Sequence, residues 1–322
     1  QEAADSGFNL ALNTIERRQG LDKELAAGIM GTLNITYDLK SCDDPASSHE
    51  ALFVKGQARM ADHPALLGYW CDDPENIENT DGTATPPTTL AKLSQARDAV
   101  KLTTPDLPMI FAISNLPRLR DAMPFGDVLL GYRYPTPHYQ PMMQYGWTIH
   151  YYHQVVTDKP IWFLSQAVDL GYGPRFGLPQ SHRPTPAEMR VLAYHSIICD
   201  VSGYALYANY INNVDYPQHW IEAMRIGTQL RHLSPALSQG TRGNVATVEP
   251  DATSNAIFYR EIVHDDVHTL LAVNMSSSPV RATWLFNEPA QVVALFEDRA
   301  MAGKAQTISD VFDPWQVHVY QW

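Results

Sequence analysis

Short apolar stretches alternate with polar loops and amphipathic helices over the first two thirds of the chain. Seven of these stretches are rich in Leu, Ile, Phe, Tyr and Val and show little strict alternation of apolar and polar positions. They begin at Phe8 (FNLALN), Gly31 (GTLNITYDL), Leu66 (LLGYWC), Leu107 (LPMIFAIS), Asp127 (DVLLGYRY), Pro160 (PIWFLSQAV) and Gly203 (GYALYANY). A strand that is apolar on both faces is typical of a parallel sheet covered by helices. The pattern therefore predicts seven parallel strands.

Helix signals lie between these strands. The segment TTLAKLSQARDAVKLTTPDLP predicts a helix with Thr88 or Thr89 as its N-cap that stops before Pro105. The segment TPAEMRVLAYHSIICDVSG places Pro186 in the first turn of a second helix and Glu188 two residues later. Strands that alternate with helices in this way predict an α/β fold, the (β/α)8 TIM barrel.

The seven strands fit positions two to eight of such a barrel, so we expect its first strand to be missing from this chain. A barrel that lacks one strand has two unpaired sheet edges. We therefore expect a homo-oligomer, or a complementing N-terminal segment, to fill the gap. Residues 1–238 form the predicted barrel domain.

The hydrophobic pattern changes after this point. Residues 245–322 alternate apolar and polar positions with a period of two, and turn signals occur at EPDATSN, MSSSP and MAGK. The predicted C-terminal domain spans residues 239–322. Four stretches predict strands of a C-terminal antiparallel β-sandwich domain: HTLLAVNM, VRATWLF, QVVALFE and WQVHVYQW.

The composition argues against several classes of binding partner. The net charge is -12 and no run of Lys or Arg occurs, which argues against nucleic acid and anionic membrane surfaces. No stretch is apolar and long enough to predict a membrane span. The cysteines, Cys42, Cys71 and Cys199, have no metal-type spacing, and His150 and His153 lack further ligands at diagnostic spacing. We therefore expect no metal and no cofactor.

The stretch LLGYWCDDPEN, residues 66–76, carries the clearest functional signal. An apolar strand delivers Asp72, Asp73 and Glu75 together, with Pro74 among them. Loops at the carboxyl ends of barrel strands carry the chemistry of this fold, and a proline ends the strand. The acids are therefore predicted to face the barrel opening.

Four stretches together resemble TIM-barrel glycoside hydrolases and their uncharacterised relatives. ADHPALLGYWCDDPEN resembles their HPALLGWYIADEPE pattern, and LLGYRYPTP resembles their sixth-strand D-x-Y-P turn. RPTPAEMRVLAYHSIICDVSGYALYANY resembles their last helix and eighth strand, and ISDVFDPWQVHVYQW resembles the closing strand of their C-terminal sandwich. The resemblance covers nearly the whole chain. It implies an extracellular or cell-surface protein that acts on or binds a polysaccharide.

The resemblance also assigns site residues. Asp73 stands where the family has the Glu that serves as general acid/base after the fourth strand. An acid beside Trp70 could have the raised pKa that protonating a glycosidic oxygen requires, but Asp is one methylene shorter than Glu. The family's seventh-strand nucleophile appears here as Gln166, and an amide cannot attack an anomeric carbon as a carboxylate does. The family's sixth-strand Asp appears as Tyr132.

Two hypotheses follow. In the first, the chain is a hydrolase in which Asp73 donates the proton and either Asp38 or Asp169 is the base of an inverting reaction. In the second, it is a non-catalytic glycan-binding or assembling protein derived from a hydrolase. Under either hypothesis the predicted ligand is a carbohydrate, and the predicted ligand-contacting residues are Asn13, Asp38, Trp70, Asp72, Tyr134, Gln166 and Tyr207.

Overall fold

The computed structural model describes residues 1–12, 18–36, 60–76, 84–135, 142–169, 183–208, 214–244, 247–250, 256–299, 301 and 303–322. The chain divides into two compact units. The first comprises Gln1–Arg133 and His150–Leu164, and the second comprises Tyr134–Ile149 and Ser165–Trp322. The predicted domain boundary after residue 238 stays a prediction.

A parallel sheet contains one strand from each of the seven predicted stretches. In sheet order, which is also chain order, these are β1 (Leu10–Ala11), β2 (Met30–Asn34), β3 (Leu66–Asp72), β4 (Met109–Ile113), β5 (Val128–Tyr132), β6 (Ile161–Gln166) and β7 (Gly203–Tyr207). The pairs from β1 to β6 are parallel. The seven predicted strands are thus confirmed, whereas the absence of a first barrel strand stays a prediction.

Burial explains why these strands lack strict alternation. Every residue of β4 is buried, and β3 is buried at five of its seven positions. In the first unit, Tyr69 and Cys71 of β3 and Phe111 of β4 share one apolar core with Leu93 and Val100. The last two residues lie on a helix, so a helix covers the face of the sheet that these strand residues share.

Helices and short helical turns connect the strands. In the described residues the helices are α1 (Glu2–Asp5), α2 (Arg18–Ala27), α3 (Pro87–Thr103), α4 (Leu119–Ala122), α5 (Met143–Val155), α6 (Pro186–Ile198) and α7 (Pro217–Gln239). Turns of 3-10 helix occur at Pro74–Asn76, Leu116–Arg118 and Met123–Phe125. Because all paired strands run in one direction, the segments that leave their carboxyl ends lie along one edge of the sheet.

The two predicted helix starts differ in outcome. Helix α6 begins as predicted, because the Thr185 side chain accepts a hydrogen bond from the Glu188 amide and the Glu188 carboxylate accepts one from the Thr185 amide. The prediction of Thr88 or Thr89 as the N-cap of α3 is wrong. This helix already begins at Pro87, since proline is compatible with the first turn.

Two antiparallel sheets follow α7 in the second unit. One has the order β13-β15-β11-β10-β8 and the other β14-β12-β9. Their strands are β8 (Thr241–Arg242), β9 (Thr247–Pro250), β10 (Ile257–His264), β11 (Val267–Asn274), β12 (Val280–Ala290), β13 (Val293–Leu295), β14 (Ala305–Phe312) and β15 (Val317–Gln321). The four predicted strands correspond to β11, β12, β13 and β15, and the sequence did not reveal the other four.

Both antiparallel sheets contribute side chains to one apolar cluster. Leu270 and Tyr320 come from the five-stranded sheet, and Trp284, Phe286 and Phe312 come from the three-stranded sheet. All five are almost fully buried. This shared core accounts for the period-two pattern, because each strand turns alternate residues towards it.

The close approach of β3 to the chain before β4 gives a test of the sheet. A Cβ placed on Gly68 would lie 2.4 Å from the backbone oxygen of Pro108, whereas a Cβ on Gly303 would meet no atom within 4 Å. We expect Gly68→Ala to lower the free energy of unfolding by about 1–3 kcal/mol, as overpacking in a core does. Gly303→Ala is the matched control and should leave thermal and denaturant unfolding unchanged. Equal midpoints for both variants would contradict this description of β3.

Candidate functional site

Asp73 directly follows β3 and has the backbone conformation of a tight turn. Its φ angle is +46°, in the left-handed region that Asp and Asn adopt more readily than most residues. Its amide donates a 2.9 Å hydrogen bond to the Ala112 carbonyl, and its own carbonyl accepts a 2.9 Å bond from the Asn76 amide. The turn therefore fixes the backbone of Asp73 at the carboxyl edge of the sheet.

The Asp73 side chain is held by two hydroxyl groups. Its Oδ1 accepts a very short hydrogen bond from the Tyr132 hydroxyl and one of 3.3 Å from the Ser114 hydroxyl. Tyr132 is the last residue of β5 and Ser114 directly follows β4. One carboxylate oxygen thus joins the carboxyl ends of three neighbouring strands.

Glu75 lies behind this carboxylate and is completely buried, with 0% of its surface exposed. Its Oε1 accepts hydrogen bonds from the amides of Ser114, at 3.1 Å, and Asn115, at 3.0 Å. Its Oε2 is buried and has no hydrogen-bond partner among the described residues. Burial, reinforced by the charge of Asp73, raises the pKa of Glu75 to about 7, although the backbone amides of Asn115, Glu75 and Ser114 act in the opposite direction.

A buried guanidinium fixes the turn that carries Glu75. Arg118 donates 2.9 Å hydrogen bonds to the backbone carbonyl of Glu75 and to the side-chain oxygen of Asn76. Only 1% of Arg118 is exposed. Asp73, Glu75, Ser114 and Tyr132, which we call the Asp73 cluster, therefore rest on a rigid support.

The tyrosines around the cluster are hydrogen-bond donors. Burial, with the charges of Asp73 and Asp72, raises the pKa of Tyr132 far above its usual range. Burial, with the charges of Glu75 and Asp73, does the same for the pKa of Tyr152, whose hydroxyl donates to the Ile113 carbonyl. Both phenols therefore keep their protons at neutral pH.

Three predicted ligand-contacting residues flank or support the sheet edge. Asp72 is exposed, and its amide donates a 2.8 Å hydrogen bond to the Thr36 hydroxyl. Trp70 is 5% exposed and lies within β3. Gln166 ends β6, is 2% exposed and donates a 2.9 Å bond from Nε2 to the Val168 carbonyl. The predicted roles of these residues in binding stay predictions.

Two predicted tyrosines form a ring pair in the second unit. The centroids of Tyr134 and Tyr207 are 5.8 Å apart with 35° between the ring planes, and both side chains are half-buried. Tyr207 ends β7 and Tyr134 follows β5 by two residues. Asp169, three residues beyond β6, is exposed. Asn13 and Asp38 lie outside the described residues.

Sequence reasoning missed Ser114 as a site residue and treated Tyr132 only as a departure from the family pattern. The available signal was position, because both residues stand where a predicted strand ends. In the described part of the chain, no group of three or more His, Cys, Asp and Glu side chains could hold a metal ion. None of the described helices combines the length and apolar character needed to cross a membrane.

The raised pKa of Glu75 predicts how stability depends on pH. A carboxyl with a pKa of about 7 when folded and 4.5 when unfolded binds more protons in the folded state, so stability falls as the pH rises from about 4.5 through 7. The loss amounts to about 3 kcal/mol. Glu75→Gln removes this titration.

The wild type should therefore lose stability between pH 5 and pH 8, whereas Glu75→Gln should not. We expect the difference in thermal midpoint, variant minus wild type, to increase as the pH rises over this range. Asp98→Asn changes an exposed carboxyl on α3 and is the control, whose pH dependence should parallel that of the wild type. A wild-type curve parallel to that of Glu75→Gln over this range would show that Glu75 does not titrate there.

Comparison by sequence identifies no relative: no family model and no curated protein matches the chain. Comparison with solved structures finds many proteins of similar fold. A β-galactosidase from Bacillus circulans sp. alkalophilus superposes with a TM-score of 0.70 at 7% identity, over 99% of this chain and 96% of that protein. An α-amylase from Geobacillus thermoleovorans, solved with acarbose, gives 0.60 at 10% identity, over 94% and 79%. A GH30 endoxylanase from Clostridium papyrosolvens gives 0.55 at 13% identity, over 100% and 92%.

Similarity at these identities concerns the fold. The three proteins differ in the activity that their names state, yet each matches nearly all of the present chain. The resemblance predicted from four sequence stretches is thereby confirmed at the level of the fold: the chain has the fold of TIM-barrel glycoside hydrolases.

Proposed function

We propose that this protein acts on a polysaccharide outside the cell and that Asp73 donates the proton to the glycosidic oxygen. The observation that carries the proposal is the position of Asp73 at the carboxyl edge of the sheet, fixed by hydroxyls from the ends of β4 and β5. In this fold the carboxyl edge is where chemistry takes place. The fold itself is shared with enzymes that cleave glycosidic bonds.

The hydrogen bonds of Asp73 suit a group that must be held in one orientation. Tyr132 and Ser114 both bond to Oδ1. These two hydroxyls set the orientation of the carboxyl through one of its oxygens. Fixing a reacting group in advance contributes to rate because no reorganisation is needed during the reaction.

The tyrosine pair supports a carbohydrate ligand. Tyr134 and Tyr207 are half-buried, so each ring keeps an exposed part at the end of its strand. Aromatic rings pack against the apolar faces of sugars while their hydroxyls bond to polar groups. In the proposed complex the two rings form a platform for a sugar unit.

A second candidate function is glycan binding without hydrolysis, and Gln166 is the observation that favours it. The residue at the end of β6 is an amide whose Nε2 already donates to Val168, so this position offers no carboxylate nucleophile. Hydrolysis would then have to proceed by inversion, with Asp38 or Asp169 as the base. The two functions differ in whether sugar is released.

The test of Asp73 is a screen of the purified protein against a panel of polysaccharides, with sugar release and binding measured in parallel. We expect Asp73→Asn to lower release by roughly 100-fold or more, the usual scale for loss of a general acid, while binding is retained. The control is Asp98→Asn. Binding with no release by the wild type would favour the non-catalytic function, and neither binding nor release would reject both.

The tyrosine platform has its own test. We expect Tyr207→Ala to weaken glycan binding by about threefold to tenfold, which lies within the roughly 0.5–1.5 kcal/mol of an aromatic contact. Tyr207→Phe keeps the ring and should bind within a factor of about two of the wild type. Titration calorimetry with a glycan found in the screen measures both. Unchanged affinity in Tyr207→Ala would show that the ring does not contact the ligand.

A further inference from the structure

Glu75 is linked to Asp73 by hydrogen bonds although its own side chain is closed off from solvent. Its carboxylate is fully buried, so a ligand cannot reach it, yet it bonds to the amides of Ser114 and Asn115. Ser114 in turn donates its hydroxyl to Asp73. Two hydrogen-bond steps therefore lead from the buried Glu75 to the half-buried Asp73.

We infer that Glu75 is a positioning residue for Asp73: its carboxylate fixes the Ser114–Asn115 turn, and protonation of that carboxylate loosens the turn and the hold of Ser114 on Asp73. The inference concerns regulation of the site and rests on the proposed function for its effect on catalysis. Its structural part, the coupling between the Glu75 proton and the turn, holds with or without a substrate.

The strength of the two amide bonds depends on the charge of Glu75. Hydrogen bonds from amides to an ionised carboxylate are about twice as strong as those to a neutral group. Both amides share Oε1, and Oε2 has no compensating partner among the described residues. Loss of the charge therefore weakens both contacts together.

Six charged or titratable residues surround Glu75. They are Asp72, Asp73 and Cys71 on its own segment, Tyr132 on β5, Tyr152 on α5 and Arg118 before α4. Burial raises the pKa of the Cys71 thiol and of both tyrosines, which therefore stay neutral between pH 5 and 8.

The charged side chains of the helices packed nearby contact other groups. Lys101 of α3 forms a 2.8 Å ion pair with Asp127, and Arg97 of α3 donates to the Pro124 carbonyl. Asp121 of α4 accepts a bond from the Thr85 amide. Arg118 donates to the backbone oxygen of Glu75. Among the surrounding charges, that of Asp73 raises the pKa of Glu75.

The first test is nuclear magnetic resonance of the amides of Ser114 and Asn115 in the whole chain between pH 5 and 9. We expect both wild-type resonances to move with a common midpoint near pH 7, because Glu75 has a pKa of about 7. In Glu75→Gln, which keeps the acceptor oxygen but never carries a charge, both should stay near their low-pH wild-type positions. In Glu75→Ala, amide exchange at both positions should accelerate at least tenfold.

Two results would overturn the inference. The first is that the wild-type resonances of Ser114 and Asn115 do not move over this pH range. The second is that they titrate equally in Glu75→Gln, which would assign the movement to Asp73 or another group. Asp98→Asn is the control and should titrate like the wild type. If Glu75→Ala does not fold, Glu75→Gln alone decides the test.

The second test applies once a substrate has been found. We expect the step near pH 7 in the kcat profile of the wild type to be absent in Glu75→Gln, with KM unchanged. Ser114→Ala should lower kcat roughly tenfold above pH 7, as loss of one hydrogen bond does, and less below it, because protonated Glu75 has already loosened the Ser114 contact. A retained step in Glu75→Gln would contradict the inference. If the amides titrate and no polysaccharide is hydrolysed, the proposed function fails and the coupling stands.

Discussion

The hydrogen bonds that converge on Oδ1 of Asp73 are the constraint on which the site depends. They join the ends of β3, β4 and β5, three strands that are consecutive both in the chain and in the sheet. Parallel pairing with this order is what brings the ends to one edge, and the buried apolar strands are what make the pairing stable. The placement of a half-buried acid thus follows from the hydrophobic pattern of the sheet beneath it.

Burying Glu75 so close to Asp73 opposes stability at neutral pH, since an ionised group away from water is costly unless it is well bonded. The structure limits this cost through the amides of Ser114 and Asn115 and through Arg118 on the adjoining backbone. A second acid at this position has no evident purpose in packing alone. It stiffens the turn that presents Asp73, and for that reason we assign it a role in the site.

Short stretches of sequence predicted the strands and the helix start that depend on neighbouring residues alone. The seven parallel strands follow from runs of apolar residues, and the start of α6 follows from Pro186 in the first turn and Glu188 two residues later. Strand β10 was missed because the turn to β11 consists of Asp265 and Asp266, both with positive φ, in place of the Asn-Gly or Asp-Gly that such turns favour. The sequence position of Asp73 was predicted, but its partner Ser114 lies 41 residues away, and only the sheet pairing shows that they meet.

Two departures from the family pattern prove to be one interaction. The resemblance aligns Asp73 with a longer Glu and Tyr132 with a shorter Asp, and taken separately both suggest loss of a function. In the structure the Tyr132 hydroxyl donates to the Asp73 carboxylate. An acidic residue at position 132 would place a second negative charge beside Asp73, whereas the phenol supplies a donor and reaches the shorter side chain. The two substitutions are therefore compatible with each other. Their contact indicates that the surroundings of position 73 hold a carboxyl in a defined orientation.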